Sequence, residues 1–415
     1  MLSKFLIPRQ IRAFSLQKIN QTGSKKLDYE SKNLTKQLVQ RIKIGGPLTV
    51  AEYMKEVLTH PAGGYYMHKD VFGEQGDFIT SPEITQMFGE MLAVWFLNEW
   101  QKLGSPVPLQ FVELGPGRGT LSNDILNVFG HLKALHRASL HLVEVSPALS
   151  DIQAKRLCKQ VTPISESKVY REGIYKAGIP VKWYNQMQDV PKGFSMFIAH
   201  EFFDALPIHK FHKTYQGFRE VLIDLDPNVD SPKPHFRYVL AKNKTPMSKY
   251  LVSKNENRDH IEVSPDSIFI IENICKRLVE CGGIALFCDY GHNGDGTDTF
   301  RAFKKHVQVN PLENPGSSDL TADVDFSMIK QVVENVGGVI PYGPISQREF
   351  LLKVGLECRF KNLLGSLTDK EHIRNLTASY EMLTRDDKMG KRFKFFAIFP
   401  ETLRKILDKF PVVGF

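Results

Sequence analysis

Leu109-Gln110-Phe111-Val112-Glu113-Leu114-Gly115-Pro116-Gly117-Arg118-Gly119-Thr120-Leu121 is the stretch on which the fold turns. Its first six residues form a short apolar run with one acid near its end, the pattern of a strand buried on both faces. Three glycines at alternate positions follow, and then a helical pattern over residues 120–135. Glycine lets backbone approach a ligand without a Cβ clash and tolerates positive φ. The N-terminus of the next helix directs its free N–H groups at whatever is bound. Strand, loop and helix together read as a small-molecule cradle at the first turn of an α/β core.

The surroundings carry the same alternation. Residues 140–145, 181–184, 195–199 and 284–289 read as strands, and Ser146-Pro147 and residues 265–281 open and form helices. Strands alternating with helices predict a parallel, doubly wound sheet. Glu144 closes the second strand, 25 residues after Gly119, where a carboxylate can accept ribose hydroxyls. A dinucleotide loop has the spacing G-x-G-x-x-G. Here the third glycine comes one residue early, as E-x-G-x-G-x-G. That spacing resembles the first motif of class I methyltransferases, whose loop cradles the methionine end of S-adenosyl-L-methionine. Glu113, Gly115, Gly117, Gly119 and Glu144 are therefore the cofactor-binding candidates.

After the fourth strand comes His200-Glu201-Phe202-Phe203-Asp204-Ala205-Leu206-Pro207, at the edge where open α/β sheets bind ligands. Glu201 and Asp204 stand three apart, so on one helical turn they share a face. Two carboxylates there suit a cationic acceptor, and a guanidinium takes planar, bidentate carboxylate bonds. These two residues are the catalytic candidates. The glycine-rich stretch 73–83 precedes a helix start at Thr80-Ser81-Pro82-Glu83, and reads as a lid with Asp77 and Glu83 towards the site. Asp289, at the end of the fifth strand, is a further candidate at the acceptor edge.

The formal charge is +8, but six of those charges (Lys4, Arg9, Arg12, Lys18, Lys25 and Lys26) precede Asp28. The basic excess thus belongs to residues 1–27, whose mixture resembles a mitochondrial presequence, and not to a nucleic-acid-binding face. No apolar run approaches the roughly 20 residues of a membrane-spanning helix. The five cysteines form no C-x-x-C pair and no zinc spacing, so neither a disulfide framework nor a metal site is expected. The expected organisation is a helical N-terminal cap over 34–105, a core over 106–400 and a tail over 401–415. Within the core, 210–265 reads as an inserted β-hairpin region and 292–318 as a loop.

Taken together, G-D-F-I-T-S-P-E-I (76–84), V-E-L-G-P-G-R-G-T-L (112–121), H-L-V-E-V-S-P (141–147), E-F-F-D-A-L-P (201–207), D-Y-G (289–291), D-L-T-A-D-V-D-F (319–326) and R-F-K-F-F-A-I (392–398) resemble the MidA family. These are mitochondrial protein-arginine methyltransferases that assist assembly of respiratory complex I, and the likeness runs from about residue 40 to 400. It implies a class I methyltransferase (Rossmann-like) core and S-adenosyl-L-methionine as cofactor. It further implies symmetric dimethylation of an arginine in a complex I subunit, in the mitochondrial matrix. His200 departs from the family pattern, which often places Asn before Glu201. The residues alone leave two other readings open: a small-molecule O- or N-methyltransferase, and a non-catalytic assembly chaperone that keeps the fold.

Overall fold

The computed structural model describes residues 22–68, 80–164, 168–227, 235–253 and 256–415, with side chains from Asn33 onward. At its centre is a mixed sheet of nine main strands. In spatial order they are Val339–Ser346, Phe393–Pro400, Gly283–His292, Ser195–His200, Leu109–Leu114, Ala138–Val143, Pro180–Tyr184, Val169–Tyr175 and Cys158–Pro163. The five strands from Gly283–His292 to Pro180–Tyr184 pair in parallel. The expected all-parallel sheet is therefore corrected at both flanks. Phe393–Pro400 runs against its two neighbours, and so does Val169–Tyr175. Val169–Tyr175 follows Cys158–Pro163 after a link too short for the crossover that a parallel neighbour requires.

Chain order reverses between Leu109–Leu114 and Ser195–His200, which lie side by side. This is the switch point, and the crevice beyond the carboxyl ends of these two strands is where such sheets bind ligands. The central strands are apolar and almost wholly buried because helices cover both faces. One face packs on Gln86–Lys102 and Thr120–His131 through Phe88, Trp95, Phe96, Ile125 and Phe129. The other packs on Pro265–Cys281 and Phe326–Val336 through Ile271, Ile274, Phe326 and Ile329. Burial of each such side chain contributes about 1.5–3 kcal/mol.

A third core joins segments far apart in sequence. Helix Val50–Thr59 starts at a capping box between Thr49 and Glu52, and buries Tyr53, Met54 and Val57 against Ile223, Phe236, Ala302 and Leu320. The hairpin expected in 210–265 forms from Gly217–Leu225 and Phe236–Leu240, and His209–Thr214, His260–Val263 and Leu48–Thr49 extend it to five strands. Residues 292–318, expected as a loop, contain the strands Arg301–Lys304 and Val307–Val309, which pair with each other, and Arg301–Lys304 also pairs with Asp319–Thr321. The helix expected to start at Ser81 is interrupted. A short turn, Ser81–Ile84, ends at Thr85, whose hydroxyl accepts from Met87 N and caps Gln86–Lys102. The presequence reading lies outside the described residues as far as 21, and helix Thr22–Gly45 begins within it.

Candidate active site

The glycine loop follows directly from the strand Leu109–Leu114. Gly115, Gly117 and Gly119 all take positive φ, at 61°, 51° and 73°, and Gly119 is the left-handed N-cap of helix Thr120–His131. Gly119 N donates to Pro116 O at 2.7 Å, closing the turn. A side chain at these φ values is strained, which explains the glycines. Glu113 points inward, beneath the loop. It accepts from the Ser122 hydroxyl and lies among Phe96, Phe111 and Leu126. Burial pushes its carboxyl up to about 7. Glu113 thus ties the strand end to the first helical turn.

Glu144 sits at the carboxyl end of the neighbouring strand. Its Oε1 accepts from Ser146 N at 2.7 Å and its Oε2 from Gln153 Nε2 at 2.9 Å. The same Gln153 nitrogen donates to Gly117 O at 2.8 Å, while Gln153 Oε1 accepts from Trp183 Nε1 at 2.8 Å. One amide therefore fixes Glu144 relative to the loop. Burial raises the Glu144 carboxyl to about 7. Each carboxylate oxygen has two lone pairs, so Glu144 retains capacity for two hydroxyl donors. Positive-φ glycines, a helix N-terminus and an acceptor carboxylate one strand away fit the methionine and ribose ends of S-adenosyl-L-methionine.

Across the switch point, the expected helical turn at 201–204 is absent. Glu201 adopts φ 48°, unusual for a residue with a side chain, and only Phe203–Ala205 forms a short 3-10 turn. The neighbouring strand end holds this turn. Glu201 N donates to Cys288 O at 2.9 Å, and Asp289 Oδ2 accepts from the N–H groups of Phe202, Phe203 and Asp204 at 3.1, 3.0 and 3.4 Å. Asp289 is fully buried, and its Oδ1 accepts from Tyr290 N at 3.0 Å.

Asp204 Oδ2 accepts from the hydroxyls of Tyr290 and Thr321, the latter at 2.7 Å, while its Oδ1 is buried without a hydrogen-bond partner. Glu201 Oε1 accepts from Ser81 N at 3.3 Å. Burial, with Asp204 adding repulsion, pushes the Glu201 carboxyl up to about 8. Burial also raises Asp204 and Asp289. Among the described residues, none of the three pairs with a lysine or arginine. Asp319, which accepts from the Tyr66 hydroxyl at 2.7 Å, adds to the same negative field. His200 Nε2 lies 3.5 Å from Glu201 Oε1 but makes no hydrogen bond. Burial lowers the His200 ring to about 3, so it is neutral and packs edge-on against Phe88.

Glu83 bridges the two sides. Its carboxylate accepts from Arg118 Nη1 at 3.3 Å and from the Thr120 hydroxyl, both on the glycine loop and its helix, while Ser81 two residues earlier reaches Glu201. Asp77, the other lid candidate, lies outside the described residues. Sequence reasoning gave no role to Tyr290, Thr321, Asp319 or Gln153. The first three fall within quoted motifs; nothing in the sequence marks Gln153.

The fold and the loop define a class I, S-adenosyl-L-methionine-dependent methyltransferase. Residues 91–345 match the family described as "Putative S-adenosyl-L-methionine-dependent methyltransferase", and the chain belongs to it. It is 50% identical over 373 residues to the human "Protein arginine methyltransferase NDUFAF7, mitochondrial", covering 88% of this chain and 83% of that protein. The Drosophila melanogaster homologue of the same name is 47% identical over 398 residues, covering 95% and 91%. In solved structures, the fold matches a Burkholderia thailandensis protein bound to S-adenosyl-homocysteine, with TM-score 0.72, 22% identity, and 93% and 95% of the two chains covered. Among the described residues no helix is long and apolar enough to cross a membrane.

Proposed function

We propose that this enzyme transfers the methyl group of S-adenosyl-L-methionine to a guanidinium nitrogen of an arginine in a protein, and that the protein is a subunit of mitochondrial complex I. The observation that carries the acceptor is the buried pair Glu201 and Asp204, with no basic ion-pair partner among the described residues, beside the glycine loop. Buried carboxylates without a counter-charge are costly, and a bound cation relieves that cost. Of the basic side chains, the guanidinium has the planar donors that can engage two carboxylates at once.

The cofactor supplies an electrophilic sulfonium methyl. The protein's part is to bind the acceptor nitrogen in line with it and to receive the proton that methylation releases. A guanidinium keeps its proton up to about pH 12, so orientation and charge stabilisation precede proton loss. Glu201 and Asp204 are the assigned catalytic residues. Glu144, Gly115, Gly117 and Gly119 are assigned to the cofactor, with Glu113 and Glu83 as supports. Symmetric dimethylation and a complex I substrate rest on the MidA resemblance. The mitochondrial matrix rests on the basic leader and on relatives named mitochondrial.

The test is methyl transfer from labelled S-adenosyl-L-methionine into mitochondrial lysate, beside a Gly117→Val control. Label on one protein band, mapped by mass spectrometry to arginine, is the expected result. Tight cofactor binding without transfer under any condition would overturn the enzyme reading in favour of a binding protein.

A further inference from the structure

We propose that Tyr290 and Thr321 are positioning residues for methyl transfer: by occupying Asp204 Oδ2 together, they leave Oδ1 as the one oxygen that Asp204 presents to the acceptor. The inference rests on the assignment of Asp204 as an acceptor-binding residue.

The two oxygens of Asp204 are treated differently, one filled and the other unpartnered. Both hydroxyls reach Oδ2, and they also touch each other, while Oδ1 is enclosed in protein without a partner. The Asp204 backbone is held as well, because its N–H is drawn to Asp289 Oδ2 and its carbonyl accepts from Ala322 N at 3.1 Å. Tyr290 has little freedom to turn away. Its ring lies 5.3 Å from the Arg301 guanidinium carbon and 5.7 Å from that of Arg392, and its edge meets Phe393 at 5.5 Å. Arg301 and Arg392 are themselves joined through Asp323. A carboxylate that cannot rotate and has one oxygen filled presents only its other oxygen. A planar guanidinium nitrogen meeting it is oriented as well as bound.

The clamp also governs ionisation. Tyr290 and Thr321 donate to the charged form of Asp204 and so favour it against burial. The other groups facing Asp204 are Arg301, which favours the charge, and Asp323, Asp289, Glu201 and Tyr66, which oppose it or lose their own protons less readily beside it. Removing one hydroxyl therefore moves the ionisation of Asp204 to higher pH.

The experiment uses the full chain saturated with S-adenosyl-homocysteine and labelled with 13C at the aspartate carboxyls. The Asp204 resonance is assigned by its loss in Asp204→Asn. In Tyr290→Phe and in Thr321→Val its titration midpoint is expected to move up by about one pH unit, and Thr321→Ser is expected to restore it. The acid limb of methyl transfer into lysate should move by the same amount, with S-adenosyl-homocysteine affinity within twofold. If Tyr290→Phe fails to fold, Thr321→Val carries the test alone. Midpoints unmoved in folded variants, or rates lowered uniformly with no change in the acid limb, overturn the clamp. Label found on a residue other than arginine overturns the acceptor assignment and leaves the clamp standing, because the carboxyl titration needs no acceptor.

Discussion

The glycine loop and the turn at Glu201–Asp204 face each other across one switch point, yet they are built in opposite ways. The loop is local: strand, three glycines and helix come from one stretch, and its two acids are tied up within the protein, Glu113 by Ser122 and Glu144 by Ser146 and Gln153. The acceptor side gathers Ser81, Glu201, Asp204, Asp289, Tyr290 and Thr321 from four separate segments, and leaves its acids without a basic partner among the described residues. The first region uses backbone shape to hold a ligand. The second keeps acids that burial pushes towards their neutral form and that a bound cation would ionise, and this is the difference that the variants break.

The largest effect is expected on the loop. Gly117→Val forces a β-branched residue to φ 51° and puts two methyl groups where backbone must approach the cofactor. S-adenosyl-homocysteine affinity by calorimetry should fall by roughly a hundredfold or more, equivalent to about 3 kcal/mol. Next comes Asp289→Ala, which takes the carboxylate acceptor from four backbone N–H groups, three of them beside the strained Glu201. A buried orphaned donor costs about 1–3 kcal/mol, so methyl transfer should drop by roughly ten- to a hundredfold, the barrier change for a loosened turn. Cofactor affinity should change little. Equal loss of cofactor binding and transfer would show that the two regions are one unit.

Glu201→Gln separates stability from activity. An acid raised from its ordinary 4.5 to about 8 binds more protons in the native state than in the unfolded one. Its contribution therefore weakens stability progressively as pH rises through that window. Gln removes the penalty, so the variant should lose methyl transfer yet unfold at higher temperature than the parent. The difference should be near zero below pH 4.5 and grow to roughly 4 kcal/mol, several degrees, by pH 8. A variant less stable at pH 8 would mean that Glu201 is already compensated, and the comparison would lose its basis.

Legibility followed the same division. The strand, the loop, the helix after it and Glu144 could be read because each depends on neighbours in sequence. The acceptor turn could not. A three-residue spacing predicts a helical face, but Asp289, 88 positions beyond Glu201, over-determines a left-handed turn instead. Tyr290 and Thr321 stood in quoted motifs without a role, since their partner is 86 and 117 residues away. Arg301–Lys304 and Val307–Val309 have loop-like surroundings in sequence, and form strands by pairing with each other and, for Arg301–Lys304, with Asp319–Thr321. The antiparallel flanks of the sheet carry no signal in alternation alone. The split across three cores was equally hidden, because Tyr53 meets Phe236 and Leu320 only after the chain has closed.

The smallest effect is expected next to the acidic pair. His200 immediately precedes Glu201, and its Nε2 is buried without a hydrogen bond. With the ring lowered to about 3 by burial, it is neutral throughout the working range and neither donates charge to Glu201 nor relays a proton. What it contributes is packing on Phe88, at a ring separation of 5.0 Å. His200→Asn should therefore leave the acid limb of the pH profile in place and change the transfer rate by less than about threefold, within about 0.7 kcal/mol of barrier. The smaller side chain leaves a gap worth about 1 kcal/mol of stability. Tyr290→Phe is the proper companion measurement, because it too alters a side chain beside the acidic pair but is expected to move the limb. Should His200→Asn shift the profile and Tyr290→Phe not, proton control at this site would pass from the hydroxyls on Asp204 to the imidazole beside Glu201.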